Sequence, residues 1–146
     1  MRARLRRLGG DRGSAVVEFL GVSVLLLVPI VYLVLTLSRV QAAAFAAEGA
    51  AREAGRILAQ GGEPVVAMGA VELVFEDQGF DVSGAEALSF SCEAGGCRAP
   101  GARVLVEVAT VVELPLLPDL VTSVVPAEVP VSATHLAVVG DFRDAP

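Results

Sequence analysis

The sequence predicts an α+β fold: a long N-terminal helix that crosses a membrane and continues outside it, a short second helix, and a small antiparallel β-sheet. Three observations lead there. An apolar run without charge extends from Phe19 to Leu37 in a chain of 146 residues. An alanine-rich stretch with charges at helical spacing follows it without a break. Beyond Gly79 the apolar period changes to two, the spacing of a strand with one buried face.

The charge distribution sets the first element. Residues 1–13 hold five arginines against one acid, and residues 14–146 hold six arginines against sixteen acids, within a net charge of −6. A basic tip on an acidic body argues against nucleic-acid binding, which needs its basic face on the folded part. Hydrophobic residues make up 54% of the chain and mean hydropathy is +0.67, with the excess concentrated in residues 19–38.

Between Phe19 and Leu37 the polar interruptions are only Ser23, Tyr32 and Thr36. Nineteen residues at about 1.5 Å each give about 28 Å, close to the hydrocarbon thickness of a bilayer. Pro29 would break a soluble helix, but a membrane helix tolerates it with a kink. The N-terminal arginines orient the segment by the positive-inside rule, N-terminus cytoplasmic and the C-terminal domain extracytoplasmic. Arg39 falls at the far interface, where it can snorkel. A buried core helix and a cleaved signal peptide are the rival readings, the second with an Ala-x-Ala option at Ala42 to Ala44. The run is longer than a signal peptide's apolar region. It also continues into "AAAFAAEGAAREAGRILAQ", where Glu48, Arg52, Glu53 and Arg56 recur at helical spacing. One helix is expected over about residues 14–60, its transmembrane part at about 19–38, after a basic leader of residues 1–13.

A single carboxylate, Glu18, sits at the mouth of this apolar run. Gly13, four residues, Glu18 and Phe19 read "GSAVVEF". This resembles the processing site of type IV-like prepilins, particularly the Flp and TadE-like group, and "AREAGR" (Ala51 to Arg56) is also similar to TadE-like proteins. The resemblance covers residues 10–60 well and the remainder in outline. It implies that a membrane prepilin peptidase cuts between Gly13 and Ser14, leaving Glu18 at the fifth mature position and Phe19 at the sixth. A glycine lets the chain extend into a protease where a Cβ would obstruct it. A carboxylate is costly in lipid, on the order of a few kcal/mol near the bilayer centre. The new ammonium group of a neighbouring subunit would offset that cost by pairing with Glu18. The plainer reading leaves Glu18 at the interface, facing headgroups.

The extracytoplasmic domain occupies residues 61–146. "QGGEP" ends the long helix, and Pro64 suits a first helical turn. A second helix is expected over Val65 to Gln78, with Val66, Ala70, Leu73 and Val74 on its packed face. Alternation around Leu88, Phe90 and Cys92, then Val104, Val106, Val108 and Val112, predicts a hairpin. The proline-rich Leu114 to Pro126 reads as a connection, and Glu128 to Phe142 as a third strand. A helix followed by an antiparallel sheet is also what a pilin-like domain looks like.

Cys92 and Cys97 are the only cysteines. Outside the cytoplasm, with a glycine-containing loop between them, they are expected to form a disulfide; free thiols and a metal site are the alternatives. A metal would need two more ligands, and the lone His135 lies far along the chain, so no metal and no cofactor are expected. One histidine, no Ser-His-Asp arrangement and no phosphate loop argue against an enzyme; Glu76 and Asp77 at a helix end read as solvated. The expected role is structural: a TadE-like minor pilin or pseudopilin of a Flp-type (tight-adherence) pilus or related secretion apparatus. Its expected partners are membrane lipid, other pilin subunits, the prepilin peptidase and the pilus assembly platform. The alternatives are a single-pass anchor presenting an extracellular binding domain, and a protein secreted after cleavage near Ala44.

Overall fold

Residues 12–93, 96–114 and 128–141 are described by the structure, a computed structural model. Six elements follow in order: α1 (Arg12–Ala59), α2 (Pro64–Asp77), α3 (Gly84–Ala87), β1 (Leu88–Cys92), β2 (Arg103–Glu113) and β3 (Glu128–Val138). The fold is α+β. The chain divides into two units, Met1–Leu35 and Thr36–Pro146, and α1 contributes to both.

In the first unit α1 is apolar all round from Phe19 onward. Leu25 is 74% exposed, Leu35 is 45% exposed, and none of the most apolar window is buried. A helix in a soluble core would be mostly covered, so the core-helix reading has no support. The helix is long and apolar enough to cross a membrane, as an anchor or as a signal sequence. Pro29 sits inside it, as expected.

In the second unit α1 buries Ala43, Ala47, Ala50, Ala54 and Leu58, spaced three or four residues apart on one face. Short side chains there let the helix approach the sheet closely. A Cβ on Gly55 would lie 3.0 Å from the His135 ring and 3.3 Å from the Ala137 Cβ. The end of α1 is set by backbone bonds: Gly62 N–H donates to the Ile57 carbonyl at 2.8 Å and Gly61 N–H to the Leu58 carbonyl at 2.9 Å. Gly61, at φ 77°, supplies the left-handed residue such a cap requires. The end of α2 repeats the device with Gly79. Phe80 N–H donates to the Phe75 carbonyl, and the two rings meet edge to face at 6.3 Å.

The packed face of α2 differs from the expected one. Ala67, Val71 and Phe75 are buried, whereas Val66 and Leu73 are 55% and 58% exposed. Both sets have helical spacing. Val74, from the expected face, is half-buried beside Gly49 of α1, while Phe75 and Phe80, closing the cap, bring the neighbouring face inward, a contact the local period does not contain.

The sheet has the order β1-β2-β3 and both pairings are antiparallel. Val104, Val106, Val108 and Val112 are buried, as the alternation predicts, with Val131, Ala137 and Val139 beside them. The hairpin and third strand therefore form as expected, β3 ending at Val138. The expected connection lies outside the described residues apart from Leu114, as does Phe142. No pattern in the sequence announces the four-residue α3. Its Gly84 packs so closely on α2 that a Cβ would land on the Met68 carbonyl.

Candidate functional site

The expected processing and pairing residues all fall on α1. Its first described residue is Arg12, and Gly13 and Ser14 follow it in helical conformation. Glu18 and Phe19 follow one turn later, both exposed, Phe19 at 71%. Among the described residues no ion pair or hydrogen bond engages Glu18. It is the only charged group between Ala15 and Ser38. The arrangement is a carboxylate on a bare apolar helix, about 16 Å along the axis from Pro29.

Cys92 and Cys97 are joined as a disulfide, with Cα atoms 5.1 Å apart. The bridge ties the last residue of β1 to the turn that leads into β2, where Gly96 and Gly101 take φ of 89° and 71°. Closing so short a loop removes only a little chain entropy, worth roughly 2 kcal/mol.

Charged residues on the outer part of α1 satisfy one another. Arg52 pairs with Glu48 at 2.6 Å, and Arg56 grips Glu53 at 2.5 and 2.9 Å while also donating to Gln60. The Arg56 hydrogen bond holds the Glu53 carboxyl below its usual range. That contribution is present above the unfolded-state value and is lost as pH falls through the lowered one. Both groups are largely in water, so it is small.

No family model matches this chain, nor does any curated protein or solved structure.

Arg39 differs from its expected role. Its guanidinium lies 4.7 Å from the centroid of the Phe80 ring, stacked on its own domain. The partners are far apart in sequence, so no local pattern signals the contact. Beside it, Glu72, Glu76, Phe80, Asp81 and Ser83 line a surface depression, and Glu72 accepts the Gly84 N–H at 3.0 Å. Glu72 thus holds the start of α3 in place. Glu76 and Asp77 are exposed at the end of α2, and His135 is half-buried on β3 against Gly55. Among the described residues no three metal-ligating side chains come together.

Proposed function

We propose that this chain is a TadE-like minor pilin or pseudopilin, a structural, non-enzymatic component of a Flp-type (tight-adherence) pilus or related secretion apparatus. The observation that carries the reading is Glu18, the lone carboxylate of the exposed apolar part of α1, five residues after Gly13 and next to Phe19. A helix bare on every side gains by packing with other helices in the membrane. A carboxylate among those helices requires a cationic partner, and cleavage after Gly13 would create one as the Ser14 ammonium.

In this reading residues 1–13 hold the chain at the cytoplasmic face until a prepilin peptidase removes them. The released helix then assembles laterally with other subunits on the assembly platform, its head outside the membrane. Co-expression of the full chain with a prepilin peptidase should shorten it, and Gly13→Leu should leave it at full length in the membrane. Equal shortening of the Gly13→Leu chain would show that cleavage occurs elsewhere and would remove the main support for this role.

A further inference from the structure

The backbone of the sheet has two edges whose hydrogen-bonding phase can be assigned. Val139 N–H donates to the Ala102 carbonyl at 2.9 Å, so the odd-numbered residues of β3 bond β2. The even-numbered residues, Pro130, Ser132, Thr134, Leu136 and Val138, turn their backbone groups to the open edge. Pro130, which has no N–H, occupies one of these outward positions and costs the β2–β3 ladder nothing. On β1, Glu93 N–H donates to the Arg103 carbonyl at 3.1 Å, so Ser89 and Ser91 bond β2 while Leu88, Phe90 and Cys92 face outward. Among the described residues no backbone bond reaches the outward groups of β3; on β1 the Leu88 N–H is taken by the Gly84 carbonyl.

The side chains at these positions lie on opposite faces. Outward-bonding residues of β3 carry side chains on the solvent face, those of β1 on the face toward the helices. A continuous sheet across two copies must keep both faces in register, because a one-residue slip exchanges them. In a parallel ladder a bonding residue stands opposite a non-bonding one. Parallel pairing of β3 with β3 would therefore put a solvent-face residue beside a helix-face residue. Parallel pairing of β3 with β1 sets Thr134 beside Ser89, both on the solvent face. The Thr134 N–H then donates to the Leu88 carbonyl, and its own carbonyl accepts from Phe90.

Orientation selects between the possible pairs. β3 runs alongside α1 in the same sense: residues 132–135 border Ala44, Glu48 and Arg52, and residues 135–140 border Arg52, Arg56 and Gln60. These two depressions share Arg52 and His135 and form one trough between α1 and the edge of β3. β1 and β3 both run antiparallel to β2, so copies that share one orientation bring β1 to β3 in parallel.

We propose that a second copy of this chain adds its β1 to the open edge of β3, extending the sheet from head to head. The half-exposed Phe90 of the added strand, 36% accessible, enters the trough beside α1. The contact is heterologous and leaves one edge free at each end, so it propagates as a row of copies. It rests on the reading of the chain as membrane-anchored.

The test uses the full chain expressed in membranes, with Ser89→Cys combined in turn with Ser132→Cys, Thr134→Cys or Leu136→Cys. Cys92 and Cys97, already joined, do not compete. Oxidation should give a ladder of dimers and larger products from at least one pair and from none of the single variants. Thr134→Pro removes only an outward N–H, as Pro130 does, so the chain should keep its fold and its native disulfide. Built into the pair that cross-links and lies clear of position 134, it should abolish the ladder. A membrane-bound chain that gives no ladder from any pair overturns the pairing alone, as does a dimer from Thr134→Cys by itself. A chain recovered outside the membrane overturns the anchored reading, and with it the reason for parallel strands.

Discussion

Glu18 is the residue on which the functional reading turns, and its chemistry separates two roles. At a wet interface the carboxylate already has water, and Glu18→Gln should be nearly silent. Paired with a neighbour's Ser14 ammonium among helices, its loss leaves that ammonium without a counter-charge. Breaking one side of a buried pair costs about 3–5 kcal/mol, a factor above about a hundred in association. The Glu18→Gln chain is therefore expected to insert and to be cut after Gly13, yet to fail to co-purify with the pilus subunits proposed as its partners. Normal recovery of the complex from the mutant would refute the pairing. Glu18 is visible in the sequence because a charge interrupts an otherwise charge-free stretch. Arg39 reads there as a snorkelling residue because its partner, Phe80, arrives only by tertiary folding.

At the scale of elements, glycines report which contacts are tight. A Cβ on Gly84 meets the backbone of Met68, which cannot rotate away as a side chain would. Gly84→Ala should destabilise the head by about 1–3 kcal/mol, seen as a Tm lowered by about 4–8 °C per kcal/mol. Gly69, inside α2, has nothing within 4 Å of the position a Cβ would take, so Gly69→Ala should raise stability by about 0.5–1 kcal/mol through backbone entropy. A thermal melt of the detergent-solubilised chain checks both, and equal Tm values for the two variants would contradict the packing of α3 on α2. The Cys92–Cys97 bridge predicts that alkylation without reduction labels neither cysteine in protein taken from cells; labelling of both would show it open.

The same scale shows where local reasoning stops. The long helix, its glycine end and the alternating strands are legible because each is written in neighbouring residues: a charge-free run, "QGG", and valines at every second position. The packed face of α2 is not. Val66 and Leu73 have the same periodicity as Val71 and Phe75, and the contact of Phe75 with Phe80 beyond the helix end separates them. The brief α3 carries no pattern of its own and exists because Glu72 and the Met68 backbone hold Gly84.

For the whole molecule, the central claim is that a membrane-anchored chain is cut once, after Gly13, and keeps its apolar helix. Each competing account leaves a different N-terminus. A simple anchor keeps Met1, and a secreted protein begins after Ala44. Intact mass of the chain purified from membranes of a host carrying a prepilin peptidase distinguishes them directly. The predicted result is the loss of residues 1–13, leaving Ser14 at the N-terminus. A full-length mass, or a chain shortened by about 44 residues and found outside the membrane, would contradict it.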